Sequence, residues 1–141
     1  MSFLLDTNLV SEWNKPQPNP GVIDWLAQID EDSVFLSVVT FAELRHGIER
    51  LPASKRRDRL DEWLRADLPL RFEQRILPVD ASIADQWGHV ATRCEAAGRP
   101  IHAMDALLAA TAEVHALTLV TRNAADFAAA LKSKSILNPW K

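Results

Sequence analysis

The chain has 141 residues, of which 48% are hydrophobic and 25% charged, with a formal net charge of -3. That is enough apolar material for one ordinary core, and the charge balance excludes a basic tail or a general nucleic-acid glue while leaving room for a local basic patch. The single cysteine, Cys94, excludes a disulfide framework or a thiolate zinc site and fits a reduced, cytoplasmic compartment; no apolar run approaches the ~20 residues of a membrane span, and "MSFLLD" lacks the basic start of a signal peptide.

Residues 2–6 read as a short apolar strand that ends on an acid, Asp6, followed at once by Thr7 and Asn8. Residues 8–14 read as a short helix. "KPQPNPG" (15–21) carries three prolines and a glycine and predicts a turn. Residues 22–29 resume a helix, with Val22, Trp25, Leu26 and Ile29 at helical spacing. A second strand is expected over 33–37. The helix after it, 38–51, carries a core stripe of Phe41, Leu44, Ile48 and Leu51 and stops at Pro52. Residues 54–68 form a charged helix with Leu60, Trp63, Leu64 and Leu68 on one side. Residues 75–79 read as a third strand and 81–97 as a long helix, with Gly98 and Pro100 in stop positions and Cys94 as packing. A helix over 102–116, a fourth strand over 117–121, a short helix over 124–132 and a candidate fifth strand over 135–137 complete the chain. Short apolar strands that alternate with helices imply an α/β fold with a parallel sheet covered on both faces. In such sheets the reactive crevice lies outside the carboxyl ends of the strands.

Several acids fall at that edge. Asp6, Thr7 and Asn8 are all good helix caps, so Asp6 has a structural reading as well as a ligand reading. Glu43 follows the second strand and stands off the apolar stripe of its helix. Asp105 opens the helix whose next positions on that face are Leu108, Ala109 and Ala112, so its carboxylate must be capped, paired or bound. Asn123 and Asp126 follow the fourth strand, spaced like a capping box. A parallel sheet can bring all of these to one edge. Several carboxylates there would raise one another's pKa unless a counter-charge held them. No lysine or arginine adjoins all of them in sequence. A hard divalent cation such as Mg²⁺ or Mn²⁺ would serve, and such sites usually act on phosphates.

"FLLDTN", "SVVTFAELRHG", "HAMDALLAATA", "TLVTRNAADF" and the closing "NPW" together resemble the PIN-domain ribonucleases, and more closely the VapC-type toxins of type II (VapBC) toxin–antitoxin pairs. The resemblance spans essentially the whole chain, residues 1–141, as one PIN domain. It implies a three-layer α/β/α sandwich around a parallel sheet of four to five strands. It also implies a Mg²⁺- or Mn²⁺-dependent endoribonuclease. The family's first three acids map to Asp6, Glu43 and Asp105, with Asp6 and Asp105 as metal ligands and Glu43 holding a metal-bound water. The fourth often stands where this chain has Asn123, and the acid Asp126 comes three residues later. Asn8 and Thr121 match polar positions that would orient the carboxylates. The implied partners are an RNA substrate, a cognate antitoxin and a second copy of the chain.

RNA over an acidic site calls for basic residues around it, and Lys15, Arg45, Arg99 and Arg122 flank the motifs. The denser run "KRRDR" (55–59) reads as a solvated helix face, and Trp25, Trp63 and Trp87 as packing residues. Two rivals remain. One is the same fold with a weak or dead site, acting as an RNA- or partner-binding module; Asn123 favours it. The other is a phospho-acceptor signalling domain with Asp80 as acceptor, which lacks the lysine that such a site needs after a late strand.

Overall fold

The computed structural model describes all residues, 1–141. The strands are β1 (Phe3–Leu5), β2 (Val34–Ser37), β3 (Ile76–Leu77), β4 (Thr118–Val120) and β5 (Ile136–Leu137). They form one sheet in the order β3-β2-β1-β4-β5. Every pairing is parallel, with Leu4 opposite Phe35 on one side and Leu119 on the other. The chain therefore builds outward from β1 to β3, crosses back, and continues from β4 on the other flank. The reversal falls between β1 and β4, and that switch point is where an open α/β sheet presents its crevice.

The helices are α1 (Thr7–Trp13), α2 (Pro20–Gln28), α3 (Val38–Glu49), α4 (Lys55–Glu62), α5 (Leu68–Arg71), α6 (Ala81–Ala96) and α7 (Ala103–Val114). Two buried clusters cover the two faces of the sheet, so the three-layer α/β/α architecture is present. Alternate strand residues divide between them, as period-2 geometry requires. Leu4 and Leu119 join Ile83, Val90, Cys94 and the Ala106–Ala112 face of α6 and α7. Phe3, Leu5, Val34, Leu36 and Val120 join α1 to α5 through Val10, Val22, Leu44, Leu64 and Phe72. Trp25 closes that second layer edge-to-face on Phe3, with ring centroids 5.1 Å apart.

Local chemistry sets the ends of these elements. Gly98 at φ +70° ends α6, with Arg99 N–H returning to the Cys94 carbonyl at 2.9 Å, a Schellman closure. Asp80 caps the same helix through Ile83 N–H at 3.0 Å. The predicted helix over 54–68 runs on to Arg71 but widens into a π turn over Trp63–Asp67, where Leu68 N–H reaches the Trp63 carbonyl. The cause is Pro69, which has no N–H and whose ring would crowd the carbonyl four residues earlier. The predicted helix over 124–132 is instead a single 3-10 turn, Ala124–Phe127, followed by turns. Its alanines supply helix propensity, but Phe127 is drawn into the core and only a short connection to β5 is needed.

The "KPQPNPG" turn is organised by Glu12, which accepts from Lys15 Nζ and Asn19 N–H, both at 2.9 Å. Asn19 then caps α2 and also exchanges hydrogen bonds with Lys141. This lays the "NPW" segment against Gly21, where an added Cβ would overlap the Pro139 carbonyl oxygen. Backbone cannot yield there as a side-chain tip would. Gly21→Ala is therefore expected to lower the unfolding free energy by about 2–3 kcal/mol. Gly88→Ala, on α6 with no atom within 4 Å, should raise it by about 0.5–1 kcal/mol. Urea denaturation of the two variants checks this; similar effects at both positions would mean that the "NPW" segment does not pack on α2.

Candidate active site

The carboxyl edge of β1 and β4 carries the first acid. Asp6 is buried and extended, and caps α1 by accepting Thr7 N–H on Oδ1 at 2.7 Å. Its Oδ2 accepts from the Thr121 hydroxyl at 2.8 Å, across the switch point. The capping reading of Asp6 is thus correct for one oxygen, while the second is held by the neighbouring strand. An ionised carboxylate offers about four lone-pair sites, so half of its accepting capacity is left.

Thr121 is the hub of the supports. It is fully buried, and its Oγ1 also accepts from Asn123 N–H at 3.0 Å and Asn8 Nδ2 at 3.4 Å. Asn8 Oδ1 in turn accepts Arg122 N–H at 3.4 Å. Asn8 and Thr121 therefore lie where sequence placed them, one hydrogen bond from Asp6 or from its partner.

Glu43 stands half-buried on α3, with its Oε1 taking the Thr7 hydroxyl at 2.6 Å. The fully buried Thr40 hydroxyl lies 3.1 Å from that of Thr7. Sequence reading missed both threonines. Thr7 was legible only as a capping candidate, although a hydroxyl directly after a strand-end acid is positioned to face more than the backbone. Thr40 precedes Glu43 by three residues, which puts it on the same side of α3.

Asp105 lies half-buried in the first turn of α7, above the buried Leu108, Ala109 and Ala112. Burial raises its pKa first, and the charges of Glu43 and Asp126 add to that while His102 opposes them; no hydrogen bond compensates. Burial likewise carries Asp6 from an ordinary 3.8 to about 6, against the pull of its bonds from Thr121 and Thr7 and with the help of the Asp105 and Glu43 charges. Asp6, Glu43 and Asp105 thus share one electrostatic field although they come from β1, α3 and α7. None of the three, nor Asp126, belongs to an ion pair. No three acidic, histidine or cysteine side chains stand close enough to enclose an ion by themselves.

Asp126 is exposed and acts on Asp105, not on Asp6. It lines a cavity of about 340 Å³ with Arg99, Pro100, Ile101, His102 and Asp105. The capping box expected from Asn123 and Asp126 does not form: the Asn123 side chain caps nothing, and the turn closes through Asp126 N–H on the Asn123 carbonyl at 3.0 Å. A second cavity of about 340 Å³ opens on Thr7 and Glu43 between α1, α3 and α4, with Leu44, Ile48 and Trp63 in its lining.

The basic candidates divide. Arg45 is bonded to Asp61 at 2.7 Å and Glu49 at 3.2 Å, tying α3 to α4. Two residues on from Glu43 it points about 200° around the helix, so it faces away from Glu43, and its partly exposed guanidinium is engaged by Asp61 and Glu49. Lys15 pairs with Glu12, and Arg99 Nη2 donates to the Ala125 carbonyl at 2.8 Å. Arg122 is exposed at the end of β4 with no ion pair. Most of the "KRRDR" run is exposed, with Arg57 paired to Glu49, while Arg56 lines the cavity that opens on Thr7 and Glu43.

Comparison with known proteins accords with this geometry. Residues 3–131 match the PIN domain family. The chain is 39% identical over 138 residues to Toxin FitB of Neisseria gonorrhoeae, covering 98% of each sequence. It is 33% identical over 139 residues to VapC ribonuclease Y4jK of Sinorhizobium fredii, covering 99% of this chain and 98% of that one. A solved structure of FitAB bound to a DNA fragment superposes with a TM-score of 0.89 at 37% identity, over 99% of this chain and 96% of that one. A parallel sheet in this order, a carboxylate buried at its switch point and these relatives together place the chain in the PIN-domain family.

Proposed function

We propose that the protein is a VapC-type toxin: a magnesium- or manganese-dependent endoribonuclease of the cytoplasm, neutralised by a cognate antitoxin and working as a pair of copies. The observation that carries the reading is the set of three acids, from three elements, that act on one another's charge while none belongs to an ion pair. Relatives named as a toxin and as a ribonuclease support it.

The residues present fit a hard divalent ion. Every donor offered is a carboxylate oxygen, and burial of Asp6 leaves negative charge that no side chain offsets. Magnesium keeps several of its waters and is commonly held by one or two carboxylates, so a sparse cluster suits it better than an enclosing cage. Asp6 and Asp105 would hold the ion. Once bound, it neutralises charge on the phosphate and lowers the pKa of a coordinated water.

The chain's own residues do the rest. Thr121 and the Thr7 N–H fix the Asp6 carboxylate, and Asn8 steadies Thr121. Glu43 takes the proton of the attacking water. Attack in line on phosphorus forms the new P–O bond as the bond to the 3′-oxygen breaks, and that oxygen takes a proton from solvent, leaving 5′-phosphate and 3′-hydroxyl ends. Arg122, with Lys15 and Arg99 at the rims of the two cavities, steers the RNA backbone by charge. Asn123, standing where the family often has an acid, supports the second reading of a catalytically weak module that binds RNA or a partner. Cleavage assays separate the two.

Purified protein should cut structured RNA with Mn²⁺ and not with EDTA. Asp105→Asn should lose at least ~100-fold of that cleavage and no longer arrest growth when expressed alone, while its circular dichroism stays native. Cleavage that is equal with Mn²⁺ and EDTA, or absent with both, contradicts the metal-nuclease reading.

Stability against pH tests the charge claim in the ion-free protein. Because the folded pKa of Asp6 lies above 3.8, its contribution is fully present below about pH 4 and is lost as pH rises through about 6. From 3.8 to about 6, the loss is about 3 kcal/mol. Urea denaturation in EDTA at pH 5 and pH 7.5 should show the native protein losing more stability than Asp6→Asn, and Mn²⁺ should restore it only in the native protein. Identical pH dependence in the two proteins would mean that the Asp6 charge is already compensated.

A further inference from the structure

Thr7 lies between the two acids of the site that come from different layers. Its backbone N–H holds Asp6 at 2.7 Å and its hydroxyl lies 2.6 Å from Glu43 Oε1. The same hydroxyl lies 3.1 Å from Thr40 Oγ1. A threonine hydroxyl has one proton. The nearer partner, the Glu43 carboxylate oxygen at 2.6 Å, accepts that proton, and Thr40 is then the donor toward Thr7. The bonds run in one direction, from Thr40 through Thr7 to Glu43, and chained bonds of this kind strengthen one another.

The Thr7 hydroxyl is the sole hydrogen-bond donor to the Glu43 carboxylate within the protein, and no ion pair holds Glu43. A glutamate is a flexible side chain whose immobilisation costs up to ~2 kcal/mol of rotamer entropy. Released, it would sweep the mouth of the cavity it lines with Thr7. Thr7 is itself rigid: it opens α1, its γ-methyl restricts χ1, and Thr40 fixes its oxygen from the buried side. We infer that Thr7 is a positioning residue for Glu43, locking the carboxylate from α3 in register with Asp6 from β1 through a single residue bonded to both. The inference rests on the nuclease reading for its catalytic consequence, but not for its geometry.

Thr7→Val keeps the shape and deletes the hydroxyl, and Thr7→Ser restores it. With Mn²⁺ and structured RNA, Thr7→Val is expected to lose roughly 10- to 100-fold in kcat with KM unchanged and a lowered melting temperature, because the buried Thr40 hydroxyl loses its acceptor, and Thr7→Ser to stay within about threefold of native with its melting temperature kept. In crystals of the ion-free proteins, Glu43 should hold its native position in Thr7→Ser and leave it or become disordered in Thr7→Val. Native kcat in Thr7→Val, or failure of a folded Thr7→Ser to recover it, overturns the assignment. So does an unmoved Glu43 in Thr7→Val. If the native protein itself does not cut RNA, the nuclease reading fails, and the crystals still decide whether Thr7 places Glu43.

Discussion

A carboxylate buried at the switch point of a parallel sheet is the constraint on which the rest of the structure depends. Asp6 ends β1, between strands that lead away in opposite directions, and it is only 6% exposed. Charge in that position is costly unless it is hydrogen-bonded or neutralised. The protein meets the first need with Thr7 N–H and the Thr121 hydroxyl, and leaves the second unmet. Glu43 and Asp105 then bring in more charge of the same sign. No lysine or arginine pairs with any of the three. The chain pairs its arginines elsewhere, as Arg45 with Asp61, Arg71 with Glu31 and Arg93 with Glu113.

The hydrogen-bonded supports explain why three acids from distant parts of the chain can be gathered at all. Parallel strands deliver residues 6 and 121 to one edge, and the register of β1 with β4 sets Asp6 beside Thr121. The first turns of α1 and α3 then meet through hydroxyls, with Thr7 touching both Thr40 and Glu43. Asp105 is carried in by α7, whose small buried residues let the helix lie close on the sheet. Each acid thus stands on a packed element and not on a free loop, which is the condition for a site held to fractions of an ångström.

Much of this was legible in the amino-acid order. Short unalternating strands between amphipathic helices imply a doubly covered parallel sheet, and a strand that runs straight into Asp6 marks its reactive edge. Asp105 was legible as an acid that must be capped, paired or bound, because it heads an alanine-rich buried face. What was not legible depended on tertiary context. The alanines after Asn123 favour a helix locally, but the pull of Phe127 into the core and the short path to β5 leave only one turn. The π turn before Pro69 and the double role of Thr7 follow from neighbours remote in sequence. Arg45 sits two residues from Glu43 in the chain, yet helical geometry turns it to the opposite side, where Asp61 meets it.

Gathered negative charge with no partner predicts a specific occupant, and anomalous diffraction from crystals soaked in Mn²⁺ locates it. A peak about 2.0–2.3 Å from carboxylate oxygens of Asp6 and Asp105, with Glu43 reached through a water, is the expected result. Soaked crystals with no peak at Asp6 and Asp105, or with manganese only on exposed acids elsewhere, would contradict the view that these carboxylates are gathered to hold an ion.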